Sequence, residues 1–304
     1  MKKTMLFLAA ISMAVAANAR ILRVSNVSGS SAPYASISAA HDAASSGDTI
    51  MIDASPDSYG DVSLSVNKKL VLIGPGYWLV ENDIVAEGTS SASLGKLTIN
   101  CEETVVKGLS ISSVDVQASK AVINRCYVGP ISLNADNCII SQNFVVGGIK
   151  GGNSSSKSQY HQITNNIFHQ QATYAYYIIN YIGNSYIAYN TTKLSSINFN
   201  GVNNSTIEYN IAPDFKSAST DNSFSNNYET TVYNKGIGGK SIDSDYYAIE
   251  LPSEDQGKYG AFEGDSPYIL SGVPSGPVIQ DLVVPTTVEM GTKMNVTIKV
   301  GMIK

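Results

Sequence analysis

Apolar and polar residues alternate along the middle of this chain in short runs: Val114-Asp-Val116, Ile131-Ser-Leu133 and Ile197-Asn-Phe199. A period of two marks strands with one buried face. Between the runs a second pattern recurs, a branched apolar residue three places before an Asn. It reads Ile140-Ser-Gln-Asn143, Ile163-Thr-Asn-Asn166, Ile187-Ala-Tyr-Asn190 and Ile207-Glu-Tyr-Asn210, with a looser copy at Phe224-Ser-Asn-Asn227. Degenerate copies precede it at Val106-Lys-Gly-Leu109 and Ile123-Asn-Arg-Cys126, and the steps from copy to copy are 17, 17, 23, 24, 20 and 17 residues. Self-similarity at this period predicts a solenoid. About three short strands per repeat of ~20 residues is one turn of a parallel β-helix. No 3.6-residue apolar stripe supports a helical solenoid.

The Asn column has a backbone task. Asn tolerates the left-handed conformation, so it suits a sharp bend between strands. Stacked amides also hydrogen-bond along the stack. Asn143, Asn166, Asn190, Asn210 and Asn227 are therefore read as a structural ladder. The longer steps place extra residues in 151–160 and 170–177, which become loops on one face.

Upstream, Ile21 to Val24, Thr49 to Asp53 and Lys69 to Ile73 read as strands, and Pro33 to Ser46 as a short helix stopped by Gly47-Asp48. His41 is expected on the packed face of that helix. The residues Tyr34-Ala-Ser-Ile37, Ala39-Ala40, Ala43-Ala44, Gly47-Asp48-Thr49-Ile50, Tyr59, Lys69-Leu-Val-Leu-Ile-Gly74 and Gly76-Tyr77 together resemble the N-terminal cap of the pectate-lyase-like, right-handed parallel β-helix superfamily. The stretch Asp255 to Gly264, then Pro267-Tyr268 and Gly272-Val-Pro274, resembles the segment that closes the last turns of secreted bacterial β-helix proteins, with Glu263 where Gly is common. The resemblance implies an all-β, right-handed, single-stranded parallel β-helix with an N-terminal capping helix and a short C-terminal β tail. Residues 1–19 form a leader, 20–276 the β-helix and 277–304 the extension, in which Val278 to Val284 and Val296 to Val300 look like two strands.

Composition narrows the partners. Charged residues make up 15% of the chain, well below the ~25% of an ordinary domain, and polarity comes from Ser, Asn, Thr and Tyr. The formal net charge is −5; removing Lys2 and Lys3 with the leader takes it to −7. With three Arg, this acidic chain is unsuited to nucleic acid or an anionic membrane. Lys2-Lys3, the apolar run Met5 to Ala17 and Ala17-Asn18-Ala19 read as a secretory signal, so the expected location is secreted or periplasmic, in a bacterium. No later stretch is long and apolar enough to span a bilayer. Cys101, Cys126 and Cys138, odd in number and set in coil-forming sequence, read as buried free thiols. No metal site is expected, since no Cys or His stands at ligand spacing to them.

Catalytic chemistry is sparsely supplied. Hydrolases of the resembled fold need clustered carboxylates, and lyases need Ca²⁺ held by several carboxylates plus a basic residue. Between Thr104 and Pro213 the acidic residues are Asp115, Asp136 and Glu208, at offsets that do not stack them. Candidate lyase bases are Arg125, Lys107, Lys120 and Lys150, with Arg125 expected to point outward; His161 and His169 could flank a groove. Tyr is abundant, 18 against one Trp, and Tyr174, Tyr176, Tyr177, Tyr181, Tyr186 and Tyr189 crowd the longest coils. A flat ring with a polar tip suits stacking on sugar. Asp115, Ser132 and Asn198, with Lys150 and the long loops, mark the face where the resemblance places a saccharide cleft. The leading reading is a monomeric, cofactor-free, non-catalytic module contacting extracellular polysaccharide through Asp115, Tyr174, Tyr176, Tyr177 and Asn198. The alternatives are a polysaccharide lyase with an atypical site at Arg125, Lys150 or His161, Ca²⁺ entering only there, and a structural or adhesin spacer.

Overall fold

The computed structural model describes residues 19–84, 91–169, 178–192, 197–217, 221–230, 243, 251–274, 276–283, 293–294 and 296–303. Of 197–198, 217, 276–283 and 299–303 it describes the backbone alone. The leader and Tyr174, Tyr176 and Tyr177 lie outside these residues.

The chain is an all-β parallel solenoid with three faces. Among the described residues sheet A holds ten parallel strands in strict register, from Ile21–Val24 and Thr49–Ile52 to Thr206–Glu208 and Ser223–Ser225. Sheet B follows one corner later with short strands such as Tyr127–Val128, Phe144–Val145 and Ile167–Phe168. Sheet C follows next, with Ile131–Leu133, Ile149–Gly151, Ile179–Asn180 and Ile197–Asn200. The long strands Ser93–Ile99 and Ser110–Val116 run round the corner between B and C and join the two.

Register explains the repeat. Leu22, Ile50, Leu72, Val106, Ile123, Ile140, Ile163, Ile187, Ile207 and Phe224 occupy successive partner positions on sheet A. From Ile50 to Ile207 every one of them is fully buried. Each such side chain contributes about 1.5–3 kcal/mol of burial. Phe224, on the last described strand of sheet A, is 41% exposed, and among the described residues no further coil covers it.

The ladder Asn residues stack in a file. Each Oδ1 accepts from the backbone N–H and the side-chain amide of the coil before: Asn143 donates both to Asn166 at 3.0 Å, and Asn166 both to Asn190 at 3.0 Å. The file continues through Asn210 to Asn227, and Cys126 N–H donates to Asn143 at its upper end. One expectation is corrected. The left-handed residue is not the Asn but the one before it: Arg125, Gln142, Asn165, Tyr189, Tyr209 and Asn226 have φ between 50 and 57°. This bend turns the next side chain inward, where the Asn amide reaches its stack.

The opposite corner of sheet A is built the same way. Lys120, Asn137, Tyr160, Asn184 and Asn204 have φ between 48 and 61°. The residue after each forms a second file, five positions before the Asn. Cys138 N–H donates to His161 Nδ1, His161 N–H to Ser185 Oγ, Ser185 N–H to Ser205 Oγ and Ser205 N–H to Asn222 Oδ1, at 2.9–3.2 Å.

The helix is shorter than the sequence predicts, Ile37–Ala43, and starts where Ser36 Oγ accepts from Ala39 N–H. Tyr34 is bridged to Val24 and so is held extended. Ile37, Ala40 and His41 are buried against the first strands. His41 Nε2 accepts from Ser65 N–H at 3.1 Å, the packing role expected of it. All three cysteines are free and buried, and burial pushes the Cys126 thiol up to about 12.

The segment 251–274 reaches further than expected. It meets the last coils, where Tyr259 packs on Tyr209 and Tyr228, and then runs on back along the A–B corner toward the first coils. Gly260 N–H donates to Tyr209 O, Ala261 N–H to Thr191 Oγ1, Asn165 Nδ2 to Ala261 O and Glu263 O, Gln142 Nε2 to Pro267 O, and Arg125 Nη1 to Val273 O. The left-handed residues form this corner's outer edge, so their side chains and carbonyls become the docking line of the strap. At its far end Tyr268 meets Tyr77, and both it and Ser271 N–H donate to the fully buried Asp243. Tyr77, Trp78, Tyr127 and Phe144 pack edge-on and stacked beneath it. Beyond Pro274, Gly276–Val283 and Thr297–Ile303 form an antiparallel pair.

Candidate functional site

Sheet C turns one polar side chain outward per coil. Thr98, Asp115, Ser132, Lys150, Asn180 and Asn200 are successive register partners, flanked by inward apolar neighbours such as Val114 and Val116. Strands lie ~4.8 Å apart, so the column repeats a polar group at that interval. Asn198 is not in it. It pairs with Lys216, two positions away, and Asn200 takes the place expected for Asn198. The misplacement arises in Ile197-Asn-Phe199-Asn200, where two apolar–Asn steps alternate with equal weight and register alone decides.

Asp115 anchors the column. Its Oδ2 receives Lys96 Nζ at 3.1 Å, and its Oδ1 receives Gln117 Nε2 at 2.6 Å and Asn134 Nδ2 at 2.9 Å. A carboxylate accepting three donors is a positioned acceptor, not a free base. Lys150 is exposed two strands along, about 10 Å away by strand spacing. Beside the column, at the corner leading to sheet A, lies an open concavity of about 590 Å³ lined by Ser119, Asn134, Asp136, Asn153, Lys157 and Gln159. A smaller one of about 210 Å³ continues it past Gln159 to Asn184 and Asn203. The loop between is set by Asn153 Oδ1, which accepts from Ser155 and Ser156 N–H. Its floor is fixed by Asp136 Oδ1 accepting from Gln159 N–H at 2.8 Å, and Gln159 Oε1 accepts from Asn184 Nδ2 at 2.8 Å.

Of the basic candidates, His161 is buried and Arg125 half-buried. Arg125 does not point outward: its Nε donates to Gln142 Oε1 and its Nη1 to Val273 O under the strap, and burial lowers its pKa. His161 is a rung of the second file, 1% exposed, and desolvation pushes its imidazole down to about 4. His169 stacks on Phe144 on the outside of sheet B, away from His161. Lys107 lies on sheet A, and Lys120 pairs with Glu103 at 3.6 Å. Lys150 alone remains on the polar column. Of the tyrosines described, Tyr189 stacks on Tyr209 and Tyr181 lies over Gly201. Sequence reasoning missed Lys96, Gln117, Asn134 and Asn180. Counting the middle residue of each apolar–polar–apolar triplet finds Asp115, Ser132 and Lys150, and two places further along the first two triplets lie Gln117 and Asn134.

Among the described residues no three His, Cys, Asp or Glu side chains come together as a metal cluster, and no helix is long and apolar enough to cross a membrane. A scan of known protein families finds no match, and no curated protein matches the sequence. Among solved structures, the chain is similar to a pectate lyase from Bacillus sp. N165 in complex with trigalacturonate, at 12% identity and a TM-score of 0.41. The likeness covers 79% of this chain and 91% of that one.

Proposed function

We propose that this protein is a secreted, non-catalytic module that contacts an extended extracellular glycan along sheet C. The observation that carries the reading is the register of Asp115, Ser132, Lys150, Asn180 and Asn200, one polar group per coil, bordered by a continuous polar trough. A regular file of hydroxyl, amide, carboxylate and ammonium groups suits a ligand that repeats its own hydroxyls along a line. Fixed donors on a rigid sheet bind without first being ordered, which lowers the entropic cost of association. The leader sequence supports an exported protein. Asp115 already accepts three donors and keeps one acceptor site for a ligand hydroxyl, Arg125 is half-buried and engaged with Gln142 and Val273, and His161 is buried, so the column supports holding a sugar chain rather than breaking it.

The test is a glycan array probed with the mature protein, with and without Ca²⁺. Retention of one linear glycan class is expected, reduced about tenfold by Asp115→Ala or Lys150→Ala at unchanged melting temperature. No retained glycan, or retention indifferent to both substitutions, overturns the reading. A rise in unsaturated-product absorbance on uronate polymers, lost in Lys150→Ala, would replace it with a lyase.

A further inference from the structure

At the predicted leader boundary the chain passes from open to anchored within one residue. Ala19 is exposed. Arg20, which follows it, is held at three points. Its carbonyl accepts from Thr49 N–H at 2.8 Å, its Nη2 donates to Ala43 O at 2.9 Å, and its backbone N–H donates to Asp48 Oδ1 at 2.8 Å. Its Nε and Nη2 also donate to Asp48 Oδ2, at 3.2 and 2.8 Å. Arg20 thereby ties the first strand, Ile21–Val24, to the end of the capping helix and to the entry of the second strand, Thr49–Ile52.

Asp48 is the centre of this junction and is 2% exposed. Ser45 N–H donates to its Oδ2 at 2.8 Å, so that oxygen takes three donors. The backbone N–H groups of Ser45 and Arg20 hold its carboxyl down at about 2, so it is ionised at neutral pH. The Ser45 and guanidinium contacts are explained by capping alone. The Oδ1 contact is different in kind, because its donor is the nitrogen that removal of the leader would set free.

We propose that cleavage of the Ala19–Arg20 bond also locks the N-terminal end of the solenoid, by creating an α-ammonium on Arg20 that forms an ion pair with the buried Asp48 carboxylate. The inference rests on the exported reading above. Hydrolysis by a leader peptidase consumes one water. The water oxygen joins the Ala19 carbonyl carbon and leaves a carboxylate there, and both water protons go to the Arg20 nitrogen. A neutral amide donor becomes a cation in the same place, 2.8 Å from the same oxygen. Hydrogen bonds with an ionised partner on both sides are shorter and stronger than those with one. The guanidinium occupies Oδ2 and the α-nitrogen Oδ1, so the carboxylate serves both cations. The firmest hold on the first coil therefore arises only after the leader has gone.

The experiment has two stages. The exported protein is isolated and its first residue is read by mass spectrometry, with Arg20 expected. Any other first residue overturns the leader reading and this proposal with it. Chain 20–304 is then compared with chain 19–304. Both carry a free α-ammonium, but in the second it stands one residue away from Asp48. Hydrogen exchange at the Thr49 amide, which Arg20 O holds, is expected to be about fivefold slower in chain 20–304. Acylation of the α-amine at neutral pH is also expected to be about fivefold slower there, since pairing with a carboxylate keeps an amine protonated. Asp48→Asn in both chains should abolish the two differences. Should that variant misfold, the two wild-type chains decide alone. Equal exchange or equal acylation in them overturns the ion pair and leaves the leader reading standing. Differences that persist in Asp48→Asn overturn it equally.

Discussion

The two corners of sheet A solve one problem with different chemistry. Both begin with a left-handed residue, and both follow it with an inward side chain that accepts the N–H of the coil before. At the A–B corner that side chain is Asn five times running, and each amide is both donor and acceptor. At the C–A corner it is His161, Ser185, Ser205 and Asn222. A backbone N–H at a tight bend must find a partner, but any acceptor of the right reach will serve. Only a side chain that also donates can pass the bond onward in the same file. The Asn corner is thus a double chain of bonds, the mixed corner a single one. His161 shows the difference most plainly, since its Nε2 is buried without a hydrogen-bond partner among the described residues.

Breaking one rung on each side measures this. Asn166→Ala orphans Asn143 N–H and one of the two Asn143 Nδ2 hydrogens, and also removes the side-chain donor to Ile140 O and Asn190 Oδ1, so it should cost about 3–5 kcal/mol in urea unfolding. A loss below about 1 kcal/mol would show that the double chain adds nothing over the single one. Acid tests the mixed corner next. His161 is held neutral, with its pKa depressed to about 4 against 6.5 unfolded. The unfolded chain binds the proton first, so stability is complete above pH 6.5 and falls as pH drops toward about 4, by about 3 kcal/mol in all. Protonation of Nδ1 also sets a donor against Cys138 N–H. His161→Ser should flatten that slope, and an unchanged slope would place the titrating group elsewhere. Ser185→Ala removes one acceptor from the single file and should cost about 1–2 kcal/mol, less than half the Asn166 effect. The smallest effect concerns the left-handed positions. Tyr160 holds φ 61° with its side chain 57% exposed, so Tyr160→Gly relieves the bend at little loss of contact. A gain of about 0.5 kcal/mol in the melting experiment is expected; a loss would mean that the ring packs in solution.

The period, the strands and the Asn file were legible because each follows from a local pattern repeated many times. The identity of the left-handed residue was not. Arg125, Gln142, Asn165, Tyr189 and Tyr209 share no chemistry, and their common conformation comes from the coil geometry. The second file was hidden for the same reason, since His, Ser and Asn do not look like one column until the register aligns them. On sheet C, Asp115 and Lys150 could be found by counting triplets, whereas Asn198 stands two positions off their column, where two registers fit the sequence equally. Arg125 was misjudged because its cover, Val273, lies 148 residues away. No local pattern reports a contact of that range.

That strap changes how the solenoid should come apart. Repeat arrays with contacts between neighbours alone lose their end coils first, one at a time. Here Tyr209, Asn165, Gln142 and Arg125 are tied to one continuous stretch that ends on Tyr77. Peeling a terminal coil therefore means detaching a tether that the middle coils also hold. Amide exchange across the coils from Tyr77 to Tyr209 should accordingly be nearly uniform, as for a single cooperative unit, and should grade from the ends inward once the tether is cut.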